Sequence, residues 1–559
     1  MKRLVKILLY TLLFILLLLC VFYAYVKWGL QPDIPQVKDQ SVLALQRQAG
    51  KDSIWFIGDN WLKRNDCGLW EEYVEGSPFQ RGVILGKLNK ELMYDQELAF
   101  VNQIHELVPS DTYLGFLGMF TRVFNRHLDQ NVNIEYREEI YGESLSAPHD
   151  FDYISPAYDR MLNYHAAHDI GHAMQSLALV GCTSFAAWDE YSSDSSLIIG
   201  RNFDFYVGDD FAKNKIILFV NPDAGHKFAM LTWPGMIGAV SGMNDAGLTI
   251  TLNAAKSDMP TGSATPISIL GREILQYAST IDEAYAIAKK RKTFVSETLM
   301  IGSAKDHKTA LIEKSPTKTA LFFSDKHYLL CANHYQSDTF KNEQNNINNI
   351  RESASMYRFQ HLTELVGQTK QLNYSNAATL LRDQRGKGGS DIGFGNEKAM
   401  NQLIAHHGII FQPEKLKFWV STSPYQLGKF ICYDLNVIFA NPKALKQNHV
   451  VYDTAFTIAA DTFLGTQQWK DFIRYRELKM EIKKAIKQKA FTSFNNITLT
   501  EIVQRNPNYW EAYYWVAEYL QAKGDKKGAQ HYFELALTKE VNAQSEVEKI
   551  KRLIEACKK

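Results

Sequence analysis

The hydrophobic period of the chain changes at a few clear points. From Ile7 to Val26, twenty residues run without a charge and rich in leucine, long enough as a helix to cross a hydrocarbon core. Residues 27–60, with Pro32 and Pro35, predict a linker, and 61–181 a helical segment whose last helix runs from Tyr158 to Ala178. At residue 182 the pattern shortens. Runs such as Leu197–Ile199, Lys215–Val220, Lys227–Thr232 and Leu248–Leu252 alternate with Gly, Asn, Asp and Pro and predict strands. A helical stretch near 267–292 separates these from further strands at Thr298–Gly302, Thr309–Glu313, Thr319–Phe323 and Tyr328–Ala332. Helices recur near 350–385 and strands near 408–440. Strands, helices and strands again predict an α+β layered domain over 182–450.

Residues 451–559 return to a helical period. Asn506-Pro507 precedes Trp510, Ala512, Tyr513, Ala517 and Leu520; Gly524-Asp525 then precedes Ala529, Phe533, Ala536 and Leu537, a spacing that resembles one tetratricopeptide (TPR) unit. One unit cannot bury its own apolar face, so this TPR-like extension is expected to pack on neighbouring helices or on the layered domain. Within it, Lys470 to Lys489 predicts a basic amphipathic helix, with Phe472, Leu478, Ile482 and Ile486 as the packed stripe beneath a solvated face.

Charge narrows the partners. Sixty-two basic against sixty-one acidic residues offer no electrostatic footprint for nucleic acid. Lys2, Arg3 and Lys6 precede the apolar run and only Lys27 follows closely, which predicts a cytoplasmic residue 1–6 end, an inner-membrane signal anchor over 7–26 and an exported catalytic domain. Ala24-Tyr25-Val26 is a poor cleavage site, so the anchor is expected to stay uncleaved. The six cysteines show neither close pairs nor metal spacing. Cys331 and Cys432 sit in apolar runs and read as buried small hydrophobes, whereas Cys67 reads as exposed.

One cysteine stands apart. Cys182 follows Gly181 at a strand start, and a glycine leaves its carbonyl open to attack by the neighbouring thiol. Attack would give a thioester, and hydrolysis would leave Cys182 as a new N-terminus. Its α-amine would titrate near neutrality, at about 7.7 to 8.0, and would serve as the thiol's own base.

The motifs around this junction carry a resemblance. Gly181-Cys182-Thr183-Ser184-Phe185-Ala186, Gly200-Arg201-Asn202-Phe203-Asp204-Phe205, Gly242 to Leu248 running on to Leu252-Asn253-Ala254, and Asn333-His334-Tyr335 occur in this order. Together with Gly76-Ser77-Pro78, Gly82 and Gly86, they make residues 70–440 resemble the autoproteolytic acyltransferase/hydrolase family of the N-terminal-nucleophile hydrolases (peptidase family C45, isopenicillin N acyltransferase-like). The resemblance implies a four-layer αββα sandwich, a pro-segment over 61–181, and cleavage between Gly181 and Cys182. It implies that Arg201 holds the Cys182 thiolate, that Asp204 orients the new amine, and that Asn253 and Asn333 donate to an oxyanion. Arg358 corresponds to an arginine lining the site and is expected to bind substrate. Asn202 is expected to satisfy backbone groups.

Other residues have plainer readings. His165, His168 and His172 share a helix face beside Asp169, but no further ligand cluster accompanies them, so a packed pro-segment helix is expected and no metal or other cofactor. Phe185, Trp188, Phe203, Phe205 and Trp233 are candidates for an acyl pocket or for core packing. The function expected is cleavage of a small-molecule amide or N-acyl compound through a Cys182 thioester, with the pro-segment remaining as a partner of the large fragment. An acyl-coenzyme A-dependent N-acyltransferase is the alternative, disfavoured by an exported domain. A membrane-anchored interaction protein without catalysis is the third reading, against which the intact set of site residues stands.

Overall fold

The computed structural model describes residues 2–50, 54–107, 110, 118, 121–173, 181–258, 262–446, 450–491 and 496–558. The apolar N-terminal run forms the helix Lys2–Ala24, whose Val5–Ala24 segment is long and apolar enough to cross a membrane.

Two antiparallel-rich sheets form the centre. The strands, in chain order, are β1 (Gln48–Ala49), β2 (Trp55–Ile57), β3 (Asn60–Arg64), β4 (Trp70–Gly76), β5 (Thr183–Asp189) and β6 (Ser195–Phe203). They continue as β7 (Ile216–Pro222), β8 (Phe228–Thr232), β9 (Ser241–Asn244), β10 (Leu248–Ala254), β11 (Glu297–Ser303) and β12 (Lys308–Lys314). The last six are β13 (Thr319–Phe322), β14 (Tyr328–Cys331), β15 (His407–Gln412), β16 (Lys417–Ser421), β17 (Phe430–Asp434) and β18 (Asp453–Ile458). Among the described residues, one sheet has eleven strands in the order β1-β2-β3-β4-β7-β8-β9-β10-β11-β12-β13. The other has seven, in the order β14-β5-β6-β15-β16-β17-β18.

Strand alternation sends every second side chain between the sheets. Phe219, Leu231, Met300 and Leu311 of the larger sheet meet Trp188, Ile199, Phe411 and Val420 of the smaller in one buried cluster. The outer face of the larger sheet is covered by Pro78–Leu88, Ile134–Ser144, Ala157–Ala173 and Ile267–Tyr277, and that of the smaller by Ser355–Thr369 and Tyr374–Leu381. Helix, sheet, sheet and helix are the four layers expected.

The segment before Cys182 differs from its helical expectation. Strands β2, β3 and β4 lie inside the expected linker and helical pro-segment, and β4 pairs in parallel with β7 from Trp70↔Ile216 to Gly76↔Pro222. Short runs of two to seven residues became strands because a sheet edge, distant in sequence, was there to pair with them. The helices of this segment pack closely. A Cβ at Gly82 would lie 1.9 Å from the Glu139 carbonyl oxygen, so only glycine lets Pro78–Leu88 reach Ile134–Ser144. Beneath that contact Glu139 is fully buried and paired with Arg81 at 2.7 Å and with Arg272 at 3.3 Å, which ties the segment to the layered domain.

The segment 451–559, expected to be helical, begins instead with β18, which forms because the free edge of β17 is there to pair with it; the helices that follow pack on one another and on the layered domain. In Gln467–Gln488 the residues Phe472, Tyr475, Leu478, Ile482 and Ala485 are buried, and Leu403 and Leu427 of the layered domain join their cluster. Trp510–Lys523 and Lys526–Leu537 form a helix pair joined through Gly524 and the N-cap Asp525. Asn506 both donates to and accepts from the Phe394 backbone, and Lys398 pairs with Glu540 at 2.5 Å. Cys331 and Cys432 are buried, whereas Cys67 is half-buried, its thiol 3.7 Å from the Tyr452 hydroxyl, against the exposed position expected.

Candidate active site

Cys182 immediately precedes β5 and is 1 % exposed. β5 runs antiparallel to β6, with Ser184 opposite Arg201, so the β6 arginine arrives beside the thiol. The Arg201 Nη2 donates to Cys182 Sγ at 3.6 Å and to the Leu252 carbonyl, and its Nη1 donates to Ser241 Oγ at 2.7 Å. Leu252 and Ser241 belong to the other sheet, so the guanidinium bridges the two sheets beside the thiol. Alternation sends Asn202 the other way, where it donates to the carbonyls of Leu381 and Met400, both at 2.8 Å.

Arg358 enters from the helix Ser355–Thr369. Its Nη1 donates to the Cys182 carbonyl at 2.7 Å and to Thr183 Oγ1 at 2.6 Å, and its Nη2 donates to Asn333 Oδ1 at 2.6 Å. Asn333 follows β14; its backbone N–H donates to Ser355 Oγ at 2.8 Å and its side-chain amide to the Ala254 carbonyl at 3.0 Å. Asn253, near the end of β10, accepts from Ser184 Oγ at 2.7 Å and donates to the Ala332 carbonyl at 3.3 Å. The two asparagines therefore bind each other's strand ends, beside β5. The structure thus gathers Cys182, Arg201, Asn253, Asn333 and Arg358 from four strand ends and one helix.

Asp204 and Gly181 complete the junction. The Gly181 N–H donates to the Asp204 carbonyl at 2.9 Å, and the Gly181 carbonyl accepts from Gln402 Nε2 at 2.9 Å. The same Gln402 amide lies 3.4 Å from Asp204 Oδ2, while Asp204 Oδ1 is buried with no hydrogen-bond partner among the described residues.

Burial dominates the electrostatics. It pushes the Asp204 carboxyl up to about 8, against the pull of Arg358 and Arg201. It also raises the Cys182 thiol, opposed by Arg201 and reinforced by Asp204. In the uncut chain burial outweighs the guanidinium; the expected thiolate belongs to the cut form. An α-amine released at Cys182 would bring a base where the uncut chain has an amide, beside a carboxyl that has an unpartnered oxygen.

Gln402, Thr183, Ser241 and Ser355 escaped the sequence reading. Gln402 lies 221 residues beyond Gly181, between strands, and no local pattern marks it. Of the acyl-pocket candidates, Phe203 and Phe205 stack at 5.5 Å, Phe205 and Trp233 at 6.3 Å, and Arg201 lies over the Phe203 ring at 4.1 Å. Phe185 and Trp188 instead belong to the core clusters on either face of the smaller sheet. His165 is buried and neutral in character: burial lowers it to about 4, Nδ1 meets the Met161 carbonyl at 2.8 Å and Nε2 accepts from Ile237 N–H at 3.0 Å. The side chains of His168 and His172, and residues 174–180, lie outside the described ones. Asp189, Glu190 and His327 bring three potential ligand atoms within 4.8 Å of one another, but at the surface and at the end of β5 opposite Cys182.

Residues 191–420 match the family described as acyl-coenzyme A:6-aminopenicillanic acid acyl-transferase. An uncharacterized protein of Archaeoglobus fulgidus is 27% identical over 277 residues, which is 47% of this chain and 46% of that protein. Protein dcd1B of Dictyostelium discoideum is 23% identical over 154 residues, 27% of this chain and 31% of that protein. The chain thus spans less than half the length of these curated relatives. Among solved structures, a Caenorhabditis elegans N-acylethanolamine-hydrolyzing acid amidase ortholog is 15% identical with a TM-score of 0.31, covering 42% of this chain and 93% of its own. A mutant of conjugated bile acid hydrolase from Clostridium perfringens is 13% identical with a TM-score of 0.32, covering 46% of this chain and 92% of its own.

Proposed function

We propose that this chain, whose residues 191–420 match the acyl-coenzyme A:6-aminopenicillanic acid acyl-transferase family, cleaves itself between Gly181 and Cys182 and then hydrolyses an amide of the N-acyl type through a Cys182 thioester. The observation that carries the reading is the junction itself: a buried thiol touched by Arg201, directly after a glycine whose carbonyl and N–H are both held.

In turnover, the freed Cys182 α-amine takes the thiol proton and the sulfur attacks the acyl carbon. Charge then builds on the acyl oxygen, where the amides of Asn253 and Asn333 are the donors. The carbon–nitrogen bond breaks, the leaving amine takes the proton, and water cleaves the thioester to a carboxylate and the thiol. Asp204 receives the new amine on the carboxyl oxygen that has no partner among the described residues. Phe203, Phe205 and Trp233, clustered next to Arg201, fit an apolar acyl group.

The transferase form has the family description in its favour, and differs only in what takes the acyl group from sulfur. An acyl-coenzyme A donor would require the catalytic domain to face the cytoplasm, whereas the charges around the N-terminal helix favour export.

Purified wild-type protein is expected to give two fragments, the larger beginning at Cys182, while Cys182→Ala stays whole. N-terminal sequencing decides the matter, and a large fragment beginning at any other residue would overturn the reading. A thiol probe should label Cys182 stoichiometrically in the cut protein; an inert and uncut chain would favour a protein without catalysis.

A further inference from the structure

We propose that Gln402 is a catalytic residue of self-cleavage, its side-chain amide stabilising the negative charge that develops on the Gly181 carbonyl oxygen. The inference rests on the self-cleavage reading above.

The geometry is that of a donor already aimed. Gln402 Nε2 lies 2.9 Å from the Gly181 oxygen and 3.4 Å from Asp204 Oδ2, which divides its two amide hydrogens between the scissile carbonyl and the carboxyl group. Its orientation is thereby set by Asp204, a neighbour of the same junction. The residue is 2 % exposed, in surroundings where such a bond is stronger than in water. On the other side the Gly181 N–H is held by the Asp204 carbonyl at 2.9 Å, so the scissile residue is pinned at both ends.

The glycine supports the assignment independently. A Cβ at position 181 would stand 2.5 Å from Gln402 Nε2 and 2.8 Å from its Oε1, closer than real contacts allow. Glycine is thus needed at 181 for this particular amide to reach the carbonyl. The amides of Asn333 and Asn253, assigned to substrate turnover, point to the Ala254 and Ala332 carbonyls, whereas it is the Gln402 amide that is bonded to the Gly181 oxygen. Two different sets of donors would then serve the two reactions, Gln402 the precursor and the asparagines the substrate.

The step balances without any added reagent but water. A bond forms between Cys182 sulfur and the Gly181 carbonyl carbon, and the oxygen takes the negative charge beside Gln402. The bond from that carbon to the Cys182 nitrogen then breaks. The nitrogen receives the proton lost by the thiol, which leaves an α-amine and a thioester. Water cleaves the thioester to the Gly181 carboxylate and the Cys182 thiol.

The test follows cleavage of the full-length chain over time, with N-terminal sequencing of the large fragment, for wild type, Cys182→Ala, Gln402→Ala and Gln402→Glu. Loss of one such donor is expected to slow cutting by about a hundredfold or more. Gln402→Glu keeps the volume but replaces the donor by an acceptor, and should be at least as slow. Thermal unfolding of both variants beside uncut Cys182→Ala reports whether the fold is kept. Hydroxylamine, which cleaves a thioester once it has formed, should not restore the rate, because the slowed step precedes the thioester. A folded Gln402→Ala chain that cuts at the wild-type rate overturns this inference alone, as does full restoration by hydroxylamine. A wild-type chain that stays whole, or a Cys182→Ala chain that cuts at the same bond, overturns the self-cleavage reading and this inference with it.

Discussion

At the scale of single residues, the uncut junction stores its chemistry in a neutral form. Asp204 is buried and its carboxyl is raised to about 8 from an ordinary 3.8, so between those values the folded chain keeps a proton that the unfolded chain has lost. A group raised in this way favours the fold at low pH, and its contribution declines as pH climbs from about 4 through about 8. Glu143, also raised to about 8, acts in the same direction, so the effect of Asp204 has to be read as a difference. In the Cys182→Ala background, where both chains stay uncut, Asp204→Asn should make the decline of stability between pH 5 and pH 8 shallower by about 1.4 kcal/mol per pH unit, the value for one proton. Urea midpoints at pH 5, 6, 7 and 8 measure it, and parallel curves for the two proteins would place the protonated form elsewhere.

At the scale of elements, the segment before Cys182 is a structural part of the domain. β4 completes the larger sheet through β7, and helices Pro78–Leu88 and Ile134–Ser144 cover it. Cutting one peptide bond at 181 would leave these contacts in place, so the small fragment is expected to co-elute with the large one in gel filtration. Glu139 is the joint most exposed to a single change, because it alone is paired with both Arg81 and Arg272 at a fully buried position. Glu139→Ala would leave two guanidinium groups buried without their carboxylate, at a cost of about 3 to 5 kcal/mol. Its thermal midpoint should fall by several degrees or more, and Glu139→Gln, which keeps the acceptor but not the charge, should fall less. Equal and negligible shifts would mean that water reaches the arginines.

At the scale of the whole molecule, the question is whether the apolar N-terminal helix spans a membrane and which side the site would then face. The Val5–Ala24 segment is long and apolar enough to span, with Lys2, Arg3 and Lys6 before it. The expectation is a catalytic domain outside the cytoplasm, and protease added to intact spheroplasts should degrade the large fragment. Complete protection until lysis would reverse the orientation and bring an acyl-coenzyme A donor back into reach. The C-terminal helices bear on the same scale: Asn506 and the Lys398–Glu540 pair fasten them to the loop that leads to Gln402.

What was legible in the sequence was whatever is local. Gly181 and Cys182 are neighbours, Arg201 and Asp204 stand three apart at one strand end, and Asn253 and Asn333 close short apolar runs, so each could be read within a few residues. The α+β layering followed from the alternation of strand and helix periods, and the four-layer order from the resemblance that the motifs carry. Tertiary structure decided the rest because it depends on partners far along the chain. β4 is a strand because β7, well over a hundred residues later, offers it an edge, and the short stretch Trp70–Gly76, with Glu71, Glu72 and Glu75 in it, carries no record of that edge. Gln402 touches Gly181 only after the smaller sheet has brought β6 and β15 side by side. The protonation of the uncut junction was equally beyond the sequence: burial, a property of the packed whole, raises the Cys182 thiol against the pull of Arg201.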